Sequence, residues 1–128
     1  MITGTGIDIV RVKRITKLIS EKQKSFTAKL FTQKEIDYCE EGTNIKISAQ
    51  HYAGRFAAKE AFLKALGTGW RNGISWQDVE IVNDDYGKPV LKLYKKAKTI
   101  LKKNNVNNIH LSIAHTRKDA VAMVILEK

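Results

Sequence analysis

The stretch that most restricts the fold is RFAAKEAFLKALGTG, residues 55–69, the end of a long helix predicted over about 48–66. Tyr52, Phe56, Phe62, Leu63 and Leu66, with several alanines, fall where a helix needs a buried side. Gly67 fits the position just past the end, where a left-handed backbone is cheap only for glycine. A helix of this length and apolarity has to be covered by other elements, so the rest of the chain must supply them. Its polar side carries Arg55, Lys59, Glu60 and Lys64 directly ahead of a Gly-Thr-Gly turn. That side reads either as a solvated face or as a site for phosphate and metal.

The flanking segments supply the covering layers. TGTGIDIV reads as a strand with Ile7 and Ile9 on one face and Asp8 on the other. From Val10 to Lys24 the apolar residues Val12, Ile15, Leu18 and Ile19 recur at helical spacing, with Lys13, Arg14, Lys17, Glu21 and Lys24 on the other side. SFTAKLFTQKEIDYCEEG reads as an irregular turn, then a short helix from Thr32 with Glu35 as its capping-box partner, ending at Gly42. Val79–Val82 and Val90–Leu93 alternate around a turn of Asn, Asp and Gly, which predicts a hairpin. A further helix is predicted from about Tyr94 to Lys103, then two last strands around Ile109–Ile113 and in AVAMVIL, joined by a turn at Thr-Arg-Lys-Asp. The order gives an α+β fold, helices packed on a mostly antiparallel sheet, with residues 1–128 as a single domain.

Composition narrows the partners. Twenty-three Lys and Arg against 13 Asp and Glu leave a net charge of +10, a field that attracts polyanions: nucleic acid, acidic lipid, a phosphorylated cofactor or an acidic protein. No run of 18 apolar residues suggests a membrane span, the N-terminus lacks a signal-peptide layout, and the single Cys39 has no partner for a disulfide or zinc site. A cytoplasmic protein is the expectation. A nucleic-acid module would satisfy the charge, but no nucleic-acid motif and no basic stripe interleaved with exposed aromatics is present.

Three places could carry chemistry. Asp8 is a carboxylate within an apolar strand, either solvent-facing, or paired with a nearby Lys, or a ligand for a hard metal, and Gly4 and Gly6 before it would admit another backbone closely. Glu60 and Lys64, four apart, form either an ordinary helix ion pair or part of a site. The turn GTGWRNG could offer N–H groups to phosphate, although it lacks the ending of a P-loop. His115 and Thr116 close LSIAHT at a strand end, while His51 and His110 have no comparable setting.

GIDIV, FTQKEIDYC, RFAAKEAFLKALGTG, GISWQDVEIVNDDYGKP and LSIAHT succeed one another along nearly the whole chain, which is thereby identified as resembling the holo-(acyl-carrier-protein) synthases. These are the small bacterial 4′-phosphopantetheinyl transferases. The resemblance implies their fold and their reaction: phosphopantetheine moves from coenzyme A to a serine of apo acyl carrier protein, releasing adenosine 3′,5′-bisphosphate, in fatty acid biosynthesis. It implies that Asp8 and Glu60 bind Mg²⁺, with Mn²⁺ suited to the same oxygen ligands. It places Lys64 at the pyrophosphate and Arg55, Gly67, Thr68, His115 and Thr116 along the coenzyme A cleft, Arg55 toward the 3′-phosphate. Glu60 and a water on the metal are the two candidates for taking the serine proton. Arg14 matches the carrier-docking arginine, with Lys13, Lys17, Lys24 and Lys29 as supporting charges. Homotrimers with clefts between subunits are also implied, and the strands and Trp76 region could supply an interface. Two departures stand out: Arg11 replaces a commonly acidic residue after GIDIV, and SIAH replaces the commoner SISH.

Overall fold

The computed structural model describes residues 1–71 and 73–128, with the backbone alone at residues 22–24. Strand β1 spans Ile2–Arg11, followed by helices α1 (Val12–Leu30), α2 (Gln33–Cys39) and α3 (Ile45–Leu66). A 3₁₀ turn at Trp76–Asp78 leads into strands β2 (Val79–Asn83) and β3 (Pro89–Leu93), helix α4 (Lys95–Lys103), and strands β4 (Asn108–His115) and β5 (Asp119–Glu127). β1, β5 and β4 form one sheet in that order, β2 and β3 a second, and every ladder is antiparallel. The fold is the α+β arrangement expected from the pattern of periodicities.

α3 is the axis of the molecule. Asn44 caps its start by accepting from the Lys46 and Ile47 N–H groups at 2.9 and 3.3 Å, and Gly67 ends it at φ 80° with its N–H on the Leu63 carbonyl. Thirteen of its residues are buried, because β1 and β5 cover one side while α1, α2 and β2 pack on others. Ala53, Ala57, Ala58 and Ala61 are wholly inaccessible, and their small size lets those layers close on the helix.

The tightest of these contacts is with β1. A Cβ on Gly4 would overlap the Ala65 carbonyl oxygen, and one on Gly6 would overlap that of Ala61 and lie 2.7 Å from the Ala65 nitrogen. Only glycine admits this approach of strand to helix. Gly4, Gly6, Asp8 and the buried Val10 alternate on one face of β1, so Asp8 lies on the inward face that Gly4 and Gly6 press against α3. The opposite face is bare: Ile7 and Ile9 are 61% and 69% exposed, and Met123, across the ladder from Ile7, is 44% exposed.

Two expectations need correction. The segment after Ser25 is not an irregular turn but the last part of α1, held by Phe26 edge-on to Phe31 at 6.1 Å and by the burial of Leu30. The polar side of α3 is not a continuous solvated face either, because Lys59 is 0% and Arg55 5% exposed.

Lys59 is the centre of a buried polar knot. Its Nζ donates to the Leu30 carbonyl at 2.7 Å, Glu35 Oε1 at 2.7 Å and the Trp76 carbonyl at 3.0 Å, which uses all three ammonium donors. Glu35, also 0% exposed, accepts in addition from the Thr32 N–H at 2.9 Å and, through Oε2, from the Ile81 N–H at 2.9 Å. The capping box predicted at Thr32 and Glu35 is present, and it doubles as the receptor for Lys59. Burial pushes the Lys59 ammonium below its ordinary range, and Glu35 opposes that shift. Lys59 thus ties the end of α1, the start of α2 and the 3₁₀ turn to α3, and Glu35 extends the knot to β2.

Candidate functional site

Asp8 and Lys64 meet where the end of α3 packs on β1, with Glu60 one turn earlier on the same helix. Lys64 Nζ donates to Asp8 Oδ1 and to the Ile7 carbonyl, both at 3.0 Å. Asp8 is mostly covered, its side chain 16% exposed, whereas that of Lys64 is 55% exposed. Lys64 therefore pairs across the fold and not with Glu60, so an i,i+4 ion pair does not account for the Glu-Lys spacing. Glu60 is half-buried and accepts instead from Trp70 Nε1 at 3.3 Å. The strand aspartate is thus not solvent-facing: the glycine contact carries it to the helix.

These are hard oxygen donors. Among the described residues no three His, Cys, Asp or Glu side chains cluster as a metal cage. Two carboxylates suit Mg²⁺, which keeps several waters and takes only one or two carboxylates. The mostly covered Asp8, whose charge is offset by a single exposed lysine, fits that ion.

The other predicted residues divide. Gly67 is exposed at the end of α3, and Thr68 Oγ1 donates to the Gly69 carbonyl at 3.1 Å in the same turn. Arg55, His115 and Thr116 lie elsewhere. Arg55 and His115 line a cavity of about 190 Å³ with Tyr38, Gln50, His51 and Asn83. The Arg55 guanidinium stacks on Tyr38 at 3.8 Å and donates to Asn83 Oδ1 at 3.2 Å, while its buried Nε has no hydrogen-bond partner. Such an unsatisfied cation beside a cavity is suited to an anion. His115 Nδ1 is 3.0 Å from Gln50 Oε1, and Thr116 Oγ1 accepts from the Lys118 and Asp119 N–H groups, which shapes the turn between β4 and β5.

Gln50 also lines a neighbouring cavity of about 880 Å³ with Arg11, Lys13, Lys46, Arg117 and Lys118. Sequence reasoning missed Lys46, Arg117 and Lys118, since they converge from two separate segments and only their charge was visible. It also set aside His51, whose ring stands edge-on to His115 at 5.9 Å and beside Tyr38 at 4.9 Å. Burial, then the charge of Arg55, lowers its pKa from the usual histidine value.

Arg14, Lys13, Lys17 and Lys29 are exposed on α1, and Lys24 lies outside the described side chains. The Arg14 guanidinium sits 5.7 Å from the centroid of Phe56. Arg11 reaches Asp119 Oδ1 at 3.5 Å, an exposed pair of small energetic weight.

Comparison with known proteins gives a consistent picture. Residues 4–123 match the model of the 4′-phosphopantetheinyl transferase superfamily. The chain is 51% identical to a holo-[acyl-carrier-protein] synthase of Geobacter sp. (strain M21), over the full length of both. Among solved structures, the holo-[acyl-carrier-protein] synthase of Neisseria meningitidis superposes with a TM-score of 0.86 at 32% identity, covering 100% of each chain. The Bacillus anthracis holo-(acyl-carrier-protein) synthase, solved in complex with CoA (3′,5′-ADP), gives 0.81 at 37% identity and covers 98% of this chain and 96% of that one.

Proposed function

Since the chain belongs to the 4′-phosphopantetheinyl transferase superfamily, we propose that it moves phosphopantetheine from coenzyme A to a serine of apo acyl carrier protein with Mg²⁺ held by Asp8 and Glu60. The observation that carries the site assignment is the glycine contact that brings Asp8 to the turn of α3 bearing Glu60 and Lys64. Adenosine 3′,5′-bisphosphate is the leaving product, and the setting carried over from the resemblance is fatty acid biosynthesis in the cytoplasm.

Mg²⁺ at this pair would supply positive charge to the pyrophosphate of coenzyme A and to the leaving phosphate. The protein's own contribution is orientation. Asp8 is fixed by its strand and by Lys64, and Glu60 by Trp70. The Lys64 ammonium has used two donors on Asp8 and Ile7, which leaves a third for a phosphate oxygen on its exposed side. Arg55, with its unpartnered Nε, and the cluster of Lys46, Arg117 and Lys118 are suited to the 3′-phosphate end of coenzyme A.

Two features support a homotrimer with shared clefts. The residues assigned to coenzyme A fall into two groups in one chain, Lys64, Gly67 and Thr68 at the end of α3, and Arg55 and His115 at a separate cavity, with Thr116 next in the chain to His115. The outer face of β1 and β5 leaves Ile7, Ile9 and Met123 uncovered. Closed rotational symmetry would set one chain's carboxylate pair against a neighbour's basic cavity three times over.

Intact-mass measurement of apo acyl carrier protein after incubation with this protein, coenzyme A and Mg²⁺ tests the reaction. A gain of one phosphopantetheine, lost in EDTA, is the expected result. No gain with several carrier proteins would refute the assignment and bring polyanion binding to the front.

Carrier docking has its own test. α1 presents Lys13, Arg14 and Lys17 to solvent, a basic face fit for a small acidic protein. Arg14→Glu is expected to raise the KM for the carrier by about tenfold, the scale of reversing one interfacial charge, with the KM for coenzyme A unchanged. An unaltered carrier KM would remove Arg14 from the docking surface.

A further inference from the structure

The geometry points to Trp70 as the positioning residue for Glu60, an inference that rests on the metal-site assignment above and extends it to a residue outside the carboxylate pair. Trp70 Nε1 donates to Glu60 Oε1 at 3.3 Å. Indole N–H is a donor only, so it can hold the carboxylate but cannot compete with it for a cation. With one oxygen engaged in this way, Oε2 is left as the free edge of the group.

The indole is itself held by a ladder of rings. Trp70 stacks on Trp76 with centroids 3.8 Å apart and planes at 28°, and Trp76 stacks on Phe56 at 5.3 Å and 24°. Phe56 is 7% exposed and lies on α3 one turn before Glu60, so the ladder leaves the helix at Phe56 and returns to it at Glu60. The Trp76 carbonyl is in turn fixed by the buried Lys59. Trp70 stands outside the helices and strands, directly after Gly69 at φ 62°. A donor on such a loop keeps its aim only if something rigid backs it, and the two stacked rings do so. Trp70 thus acts through Glu60: it fixes the rotamer of a half-buried side chain that would otherwise hold several.

Trp70→Phe tests this role with the unfolding midpoint as the control for packing, because phenylalanine keeps one ring for the stack and removes the N–H together with the second ring. Mn²⁺ binding to the stoichiometric complex with coenzyme A is read by water-proton relaxation, alongside the thermal unfolding midpoint. The affinity is expected to fall by about tenfold, the lower range for losing an outer partner of a metal ligand, with the midpoint and the KM for carrier retained. Glu60→Gln is measured in parallel. If Glu60→Gln weakens Mn²⁺ and Trp70→Phe does not, Trp70 has no positioning role. If neither weakens it, the metal assignment falls and this inference with it. Should Trp70→Phe fail to fold, the wild-type chain still decides. Its two tryptophans give two indole N–H resonances, assigned from the Trp76→Phe protein. Saturating Mg²⁺ with coenzyme A should shift that of Trp70 more than that of Trp76, and equal or absent shifts would overturn the inference.

Discussion

Glu60→Gln is expected to reduce transfer of phosphopantetheine by at least about a hundredfold, the scale for losing one preorganised electrostatic group at a reacting phosphate, while the fold stays intact. The substitution keeps shape and an amide oxygen that can still accept from Trp70 Nε1, so the aromatic ladder has no reason to move. What it removes is a negative charge on a half-buried turn beside Asp8 and Lys64. With only one carboxylate left, a hard cation would have a single charged ligand, and the balance at the site would pass to the Lys64 ammonium. Unfolding free energy should stay within about 0.5 kcal/mol of wild type, as for surface changes away from buried networks. Rates from intact-mass time courses at several Mg²⁺ concentrations provide the check. Partial recovery at high Mg²⁺ would locate the loss in metal affinity, and a wild-type rate would sink the carboxylate pair as the metal site.

The largest effect on stability is expected at Lys59. Lys59→Met fills a similar volume but leaves the Glu35 carboxylate, wholly buried, with only the N–H groups of Thr32 and Ile81. It also leaves the Leu30 and Trp76 carbonyls without their donor. Removing one member of a buried pair costs about 3–5 kcal/mol, because the remaining charge is uncompensated. Urea unfolding should show a lower midpoint with an unchanged slope. The double variant Lys59→Met, Glu35→Leu should regain part of the loss, since no charge is then stranded, but not all, because Glu35 also caps α2. A loss under about 1 kcal/mol in the single variant would mean that solvent reaches the pair in solution.

Local chemistry made much of this fold legible. The Thr32–Glu35 capping box, the glycine at the end of α3 and the Asn-Asp-Gly hairpin are each decided within a few residues, and all three are present. Lys59 is different. Periodicity assigns charged positions of a helix to solvent, which holds for a helix covered on one side. α3 is covered on several sides, and the acceptors for Lys59 come from Leu30, Glu35 and Trp76, 17 to 29 residues away. For the same reason Ser25–Leu30 looked irregular: Phe26 and Thr27 are indifferent helix formers, and contacts such as Phe26 with Phe31 decide the matter. The paired Asp8 and Glu60 were legible through the resemblance of their motifs. Trp70 was not, since its bond to Glu60 spans a loop that no spacing rule describes.

The glycines of β1 carry a consequence for how the site tolerates change. Where Gly4 and Gly6 lie on Ala61 and Ala65, the main chain of a strand rests on the main chain of a helix, with no side chain between to bend or change rotamer. The contact works as a mechanical stop. Elsewhere in the core, substitutions can be absorbed by small rotations of Phe, Leu or Ile without reaching Asp8. At positions 4 and 6 even one methyl group becomes a shim, and its thickness is passed undamped to the aspartate four or two residues along. The spacing between the carboxylates is thus gauged by backbone, the least compliant material the chain has.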